Sequence, residues 1–262
     1  MRTFYRICAA AVAVVVCFAS WTSVSAQPSF EFGVKGGLGF AKLSGDETSD
    51  TEFFYWDLGG GYYAEGEVII DFGDMKLGFV GGAYAALQIV DQFGVRLEAL
   101  YFKKGGKGDN SGQVGLYDPA DNLLESIDVS GENTVTLDYF EFPILGVISF
   151  PVGTQARFDI FAGPALAFKT SAEAEIELTL TADGQSETEK ETMDISDDVK
   201  GTDFGGIIGA GLTFDLQQVT LFFDARWEYG FTEIFEHPDD PELKNSAFSF
   251  IAGMGIPLAK SP

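Results

Sequence analysis

The chain of 262 residues is strongly acidic, with 40 aspartates and glutamates against 16 lysines and arginines and a formal net charge of −24. Nucleic-acid binding requires a basic surface, so this charge excludes a nucleic-acid partner. Glycine is frequent at 32 residues, and aromatic residues make up 14% of the chain. Since glycine relieves crowding in curved, closed sheets, this composition favours a curved β-structure.

Residues 1–26 are typical of a secretory signal peptide. Arg2 and Arg6 precede an apolar run, and small residues precede Gln27. A basic head, a short apolar middle and a small-residue end define such a signal. We predict cleavage after Ala26, which leaves residues 27–262 as one domain with a formal charge near −26, because the two arginines are lost. The alternative, an anchor helix, is disfavoured because the apolar run is too short to span a bilayer.

The predicted mature domain has no cysteine, because Cys8 and Cys17 both lie in the signal. Disulfides, thiolate nucleophiles and cysteine metal sites are therefore excluded. No other run is long and apolar enough for a transmembrane helix, although the mean hydropathy is slightly positive. An exported chain with much apolar surface and no spanning helix fits a transmembrane β-barrel.

The clearest strand pattern runs from Val219 to Gly230. Alternate residues, from Val219 to Tyr229, form an apolar face, and the opposite face carries Asp224, Arg226 and Glu228. Side chains alternate between the two faces of a strand, so this segment has one apolar and one charged face. Eight segments resemble strands in this way, over residues 31–40, 76–87, 93–101, 136–150, 156–170, 203–214, 219–230 and 247–258.

The connections between these segments alternate strictly between short and long. Three are short, and the other four, residues 43–75, 104–135, 171–202 and 232–246, are long. Outer-membrane barrels have short periplasmic turns, long outer loops and an even strand number. We therefore predict an all-β protein, an eight-stranded antiparallel up-and-down transmembrane β-barrel, in the outer membrane of a Gram-negative-type bacterium.

The long loops carry further strand signals. Hairpins are expected around residues 118–122 and at Asp183-Gly184, where alternating segments meet turn residues. The aromatic residues of the first loop, over 53–56 and 62–63, suit an interface girdle, a partner-binding patch or an additional strand pair that would raise the strand number to ten. A girdle or loop packing is the favoured interpretation.

Outward-facing apolar residues would turn a set of charged residues into the lumen. An eight-stranded barrel is just wide enough to be filled by side chains, and buried charges must be paired. We predict a structural ion-pair network in the lumen. Trp227, Tyr229 and Tyr101 are predicted to lie at the membrane interface. The lumen set comprises Lys35, Arg96, Glu98, Glu141, Arg157, Asp159, Asp224, Arg226 and Glu228.

Catalysis has little support in the sequence. The single histidine, His237, is followed by a proline in the last outer loop, where a solvated residue is the ordinary interpretation. The acidic clusters lack the spacing of a calcium-binding EF-hand loop. We predict no enzymatic activity, no catalytic residues, no metal site and no cofactor.

Five segments resemble the PorT-like outer-membrane β-barrel family, in matching order over nearly all of the predicted mature chain. They span residues 32–40, 96–101, 139–145, 204–211 and 226–232. The resemblance implies an eight-stranded outer-membrane barrel but no single activity, although the best-known member of the family is linked to protein secretion.

Three functions are compatible with these predictions. The favoured one is a porin-like but non-enzymatic integral barrel of the cell envelope, with a plugged lumen and acidic outer loops, in a structural or interaction role. The alternatives are a partner-binding or secretion-accessory component, or a narrow pore. The expected partners are outer-membrane lipid and a protein bound through the outer loops, and the expected state is a monomer.

Overall fold

The computed structural model describes residues 29–45, 48–216, 218–236 and 242–258. The predicted signal peptide therefore lies outside the described residues. The described part contains eleven strands: β1 (Ser29–Ser44), β2 (Ser49–Gly59), β3 (Tyr62–Asp71), β4 (Lys76–Val90), β5 (Phe93–Tyr117), β6 (Leu123–Pro151), β7 (Ala156–Ala182), β8 (Gln185–Asp194), β9 (Thr202–Leu216), β10 (Val219–Gly230) and β11 (Lys244–Pro257). Among these residues, no helix has the length and apolar character needed to cross a membrane.

Eight of the strands close into an antiparallel ring. Their order around the ring is β1, β4, β5, β6, β7, β9, β10 and β11. The ring closes where β1 pairs with β11, from Glu31 opposite Pro257 to Ser44 opposite Lys244. Closure satisfies the backbone polar groups that an open sheet edge would expose to lipid. The predicted eight-stranded barrel is confirmed.

The outer wall of the ring is an apolar band. On β9, for example, Phe204, Ile208, Leu212 and Phe214 are all exposed, and β11 exposes Phe250, Met254 and Ile256 in the same way. From Phe204 to Phe214 a strand advances roughly 33 Å, and a tilt of about 40° reduces this to roughly 25 Å along the barrel axis. This height matches the apolar band of a transmembrane barrel.

Three barrel strands continue far beyond this band at the long-loop end. β5, β6 and β7 contain 25, 29 and 27 residues. Their extensions pair with the shorter strands to form a six-stranded antiparallel sheet in the order β2, β3, β5, β6, β7, β8. We call this the protruding sheet, and it comprises β2, β3, β8 and residues 107–117, 123–138 and 171–182.

The hairpins predicted within two of the long loops are confirmed. β5 and β6 meet at residues 118–122, and β7 turns into β8 at Asp183 and Gly184, both of which have positive φ angles, 49° and 76°. The interpretation of the first-loop aromatics was wrong, because residues 53–56 lie in the strand pair β2–β3. This pair adds to the extension of β5 and not to the ring, so the ring does not reach ten strands.

The protruding sheet leaves the barrel wall at a strained position. Gly105 has a φ of +120°, and a Cβ atom placed there would lie 1.9 Å from the carbonyl oxygen of Val135 on β6. Only glycine fits both the left-handed backbone and the close approach. Gly105 therefore stabilises the point at which β5 rises beyond β4.

Gly105→Ala is expected to destabilise the barrel by about 1–3 kcal/mol, because the added methyl group meets backbone and the φ angle is strained for alanine. The measurement is urea unfolding in detergent micelles, followed by the heat-dependent gel mobility of the folded barrel. Gly201→Ala is the matched control, because a Cβ atom at Gly201 meets nothing within 4 Å. Equal unfolding midpoints for the two variants would contradict the proposed strain.

Candidate functional site

The inner face of the barrel concentrates charged side chains. On β10 the even-numbered residues from Thr220 to Glu228 are buried, and on β5 Arg96 and Glu98 are buried. These residues alternate with outward-facing apolar residues, as a half-buried strand requires. Side chains from strands on opposite sides of the ring meet in the lumen, and those of Arg96 on β5 and Asp224 on β10 are 2.9 Å apart.

Glu98 is the centre of the charge cluster nearer the short-turn end of the barrel, which we call the lower charge cluster. Its Oε1 atom lies 2.5 Å from Lys35 Nζ and 2.9 Å from Arg96 Nε, and its Oε2 atom accepts a hydrogen bond of 2.8 Å from Arg226 Nη1. Asp224 completes the cluster, 2.9 Å from Arg96 and 3.6 Å from Lys35. Three cations thus surround two carboxylates.

A second charge cluster, nearer the long-loop end and called the upper charge cluster, is centred on Lys104. The predicted lumen set does not contain this residue. Lys104 is 1% exposed; its Nζ atom lies 3.1 Å from Glu141 Oε2 and donates a hydrogen bond to Glu228. The strand predicted from the sequence ends at Tyr101, which places Lys104 in a long loop. Strand parity would have identified it, because Arg96, Glu98 and Lys104 share one face of an uninterrupted β5.

Together the two clusters are electrically neutral. They contain the four cations Lys35, Arg96, Lys104 and Arg226 and the four carboxylates of Glu98, Glu141, Asp224 and Glu228. We call these eight residues the lumen network. Neutrality matters because each buried charge carries a desolvation cost that only a partner offsets.

Aromatic rings fill the space between these charges. The Arg96 guanidinium lies 4.6 Å from the ring centre of Phe161, and Lys35 Nζ lies 5.4 Å from that of Phe222. Lys104 Nζ lies 5.1 Å from the ring centre of Phe102, which is fully buried. A cation over an aromatic face is attracted to it, most strongly where water is excluded. Charged and aromatic side chains are therefore in contact with one another at the level of the lumen network.

Two residues of the predicted lumen set lie apart from the lumen network. Arg157 lies at the short-turn end, where it is partly exposed and forms a 2.7 Å ion pair with Asp215. Asp159 accepts 2.6 Å hydrogen bonds from Ser149 and Thr213. Arg157 is near the end of its strand, so the alternation that predicted its face did not indicate its depth in the barrel.

The short-turn end opens into a wide mouth. A cavity of about 900 Å³ there is lined by Glu31, Asp91, Arg157 and Asp215, among others. Further in, Tyr84 donates a 2.6 Å hydrogen bond to Glu31 and packs edge-on against Phe222. A second, smaller cavity of about 40 Å³ lies at this depth, with Arg96 in its lining. The larger cavity is therefore at the mouth, and the smaller one is next to the lumen network.

The long-loop end of the lumen is covered by an apolar cap. Val199 and Ile234 come from loops, and they pack with Leu43, Val135 and Tyr139 of the barrel strands in one buried cluster. The Lys200 amide donates a 2.7 Å hydrogen bond to the carbonyl of Ile234, which ties the two loops together. The cap therefore lies on the long-loop side of the lumen network.

The predicted interface aromatics lie on the outer wall towards the long-loop end. Trp227 is 49% exposed, and its ring neighbours that of Tyr229 at 5.9 Å. Tyr101 lies beside Phe79 and Phe140. On the same wall, the Trp227 indole donates a 3.1 Å hydrogen bond to the Ser246 hydroxyl. His237 lies outside the described residues.

The tip of the protruding sheet carries a row of stacked tyrosines. The rings of Tyr55, Tyr63 and Tyr117 follow one another at centroid distances of 5.5 and 5.0 Å. Burial against its neighbours, together with a hydrogen bond to Asp121, raises the pKa of Tyr63 to about 12. Hydrogen bonds from Asn122 and from the Ala120 amide hold the pKa of Asp118 below its ordinary value. These contacts fix the β5–β6 turn against the β2–β3 hairpin.

The family of the chain follows from its sequence as well as from this geometry. The family model described as "Outer membrane protein beta-barrel domain" matches residues 25–236. The chain belongs to this family. Its localisation is therefore the outer membrane. The match ends before β11, the strand that completes the ring in the structure.

Solved structures with a similar fold are distant in sequence. Neisserial surface protein A is 12% identical, with a TM-score of 0.40 over 88% of this chain and 99% of that chain. OprG from Pseudomonas aeruginosa is 14% identical, with a TM-score of 0.37 over 91% and 100%. The outer membrane protease OmpT from Escherichia coli is 10% identical, with a TM-score of 0.33 over 90% and 100%. Similarity at this level carries no activity or partner to this chain, and no curated protein matches its sequence significantly.

Arg226→Met is expected to lower the free energy of unfolding by roughly 3 kcal/mol, because it leaves part of the buried Glu98 charge uncompensated. The double variant Arg226→Met with Glu98→Gln should recover part of this loss. Chemical unfolding in micelles, followed by tryptophan fluorescence, measures both.

Lys107→Met is the matched control, because the Lys107–Glu132 pair is 40% and 47% exposed. An exposed pair contributes little, so its unfolding midpoint should stay close to that of the wild type. If Arg226→Met and Lys107→Met unfold at the same denaturant concentration, Arg226 does not stabilise a dry lumen.

Proposed function

We propose that the protein is a closed, non-conducting, non-enzymatic outer-membrane barrel that anchors a binding surface outside the cell. The observation that carries the proposal is the neutral lumen network, in which charges and rings from opposite walls meet across the interior. An interior of this size is just wide enough to be filled by side chains. A partner-binding role, in secretion or in another process of the cell envelope, is then assigned to the protruding sheet. Membership of the PorT-like group within the family is part of this proposal.

The pore alternative is disfavoured by the position of the charges. A conducting path would have to pass the lumen network, where Arg226 is 1% exposed and Glu141 is fully buried. Moving these groups aside would separate paired charges in a low-dielectric interior, which is costly. The apolar cap adds a second obstacle at the outer end, because its buried side chains would also have to move aside.

An enzymatic role is disfavoured by the side chains of the lumen. The carboxylates of the lumen network are engaged with lysine and arginine, and a general acid or base must reach a substrate proton. Within the described residues, no group of three or more histidine, cysteine or acidic side chains is arranged to hold a metal ion.

The wild-type protein is expected to give no stepwise currents in planar lipid bilayers, because the lumen network fills the barrel below the cap. The double variant Ile234→Ser with Leu243→Ser, which disrupts the cap, should also give none. A large general porin in the same bilayer is the positive control. Stepwise currents from folded wild-type protein would establish the pore instead.

Partner binding is expected to map to the protruding sheet in living cells. A photo-crosslinking amino acid at Gln113, which is exposed on this sheet, should yield a specific adduct, because its side chain faces the external medium. The matched position is Gln92, in a short turn at the opposite end of the barrel. Adducts from Gln92 alone would place the interacting surface in the periplasm and contradict the proposal.

A further inference from the structure

The two edges of the protruding sheet differ in character. Every residue of β8, at one edge, is exposed, and four of its residues are acidic (Glu187, Glu189, Glu191 and Asp194). β2, at the other edge, carries Phe53, Tyr55 and Trp56, which are 78%, 64% and 55% exposed. Among the described residues, β2 pairs with β3 along one side, and no strand pairs with the other side of β2.

Proteins usually protect an exposed strand edge with lysine, proline or a covering segment, because an open edge pairs readily with another chain. β2 contains neither lysine nor proline. Its irregularity, between Asp57 and Gly59, lies at the tip and leaves residues 52–57, which include the exposed aromatic residues, in regular register with β3. An aromatic edge of this kind is a template for strand addition.

The charge around this edge has a single sign. Residues 49–71, which span β2 and β3, contain six acidic residues and no lysine or arginine. Glu67 lies opposite Phe53 in the register, and Glu65 lies opposite Tyr55. A cavity of about 570 Å³ on this face of the protruding sheet is lined by these four residues and, further from the edge, by Tyr117 and Leu123. Carboxylates and aromatic faces in one groove form a favourable site for lysine and arginine side chains.

A second copy in the same membrane does not fit this edge. Two β2 strands that pair antiparallel are related by a two-fold axis normal to the sheet. The strands rise from the barrel out of the membrane, so this axis lies near the membrane plane and would invert the second barrel. Each copy would also contribute residues 49–71, whose sequence has six acidic residues and no lysine or arginine, so that two copies would bring like charges together.

We propose that the β2 edge binds an extended, basic segment of a soluble partner protein by strand addition, with its lysine or arginine side chains over Phe53 and Tyr55 and near Glu65 and Glu67. This inference rests on the proposed function, for which it names the surface and the chemistry of the partner. The partner backbone pairs with β2, and its basic side chains provide the specificity.

The test uses the full-length protein in lipid nanodiscs and a fluorescent 12-residue peptide that alternates lysine with valine and threonine. We expect saturable binding, measured by fluorescence anisotropy, which is lost when every lysine is replaced by glutamate. Two further peptides are N-methylated, one on the odd-numbered amides and one on the even-numbered amides. Their affinities should differ, because only one set of amides faces β2 in an antiparallel ladder. Equal binding by the two methylated peptides would overturn strand addition.

Matched charge variants locate the site. Glu65→Gln with Glu67→Gln should weaken peptide binding by about tenfold, whereas Glu187→Gln with Glu189→Gln, an equal change in charge at the β8 edge, should leave it unchanged. Phe53→Ser with Tyr55→Ser should also weaken binding, and heat-dependent gel mobility verifies that each variant is folded. Equal effects of the two glutamate pairs would show unspecific charge attraction and overturn the site.

Two further outcomes separate this inference from its alternatives. Clumping of proteoliposomes that carry the wild-type protein, abolished by Phe53→Ser with Tyr55→Ser, would assign the edge to a second copy in an opposing membrane and overturn the soluble partner. Stepwise bilayer currents would contradict the proposed closed barrel. If the peptide does not bind and no such currents are seen, only the β2 site is contradicted.

Discussion

Every backbone amide and carbonyl within the lipid must find its hydrogen-bond partner inside the protein, and the rest of the structure depends on this constraint. It requires the sheet to close, which the pairing of β1 with β11 achieves. In the closed sheet, successive side chains along each strand point alternately towards lipid and towards the lumen. The outer wall then carries exposed residues such as Phe250 and Ile208, and the inner wall receives the polar side chains that cannot face lipid.

The small circumference of an eight-stranded ring makes the inner wall crowded. Charges placed there are forced into contact, and the cost of their dehydration is offset only where opposite signs meet. The lumen network meets this condition with four cations and four carboxylates, and Arg226 and Glu98 join opposite sides of the ring. This contact between opposite walls is the reason that we propose the protruding sheet, and not the barrel interior, as the site of interaction.

The barrel could be predicted from the sequence because two strong regularities coincide: strand alternation, as in Val219–Gly230, and the strict succession of short and long connections. The predicted site was less complete. Lys104 was missed because the glycine-rich stretch that follows it hides the continuation of β5. The pairing of β3 with β5, from Ile70 opposite Asn110 to Tyr63 opposite Tyr117, joins residues that lie far apart in the chain, which alternation within one segment does not reveal. Arg157 shows a third limit, since parity gives the face of a side chain but not its depth in the barrel.

The continuous strands β5, β6 and β7 give the protein height on one side only. From Lys104 to Tyr117 a strand advances roughly 43 Å, or roughly 33 Å along the axis of a barrel with ordinary tilt. The sheet tip therefore stands well clear of the lipid headgroups, and a large soluble protein can approach it without contacting the membrane. Because the same strands form the barrel wall, any sideways pull on the tip is transmitted as a lever to the wall, without an intervening flexible linker.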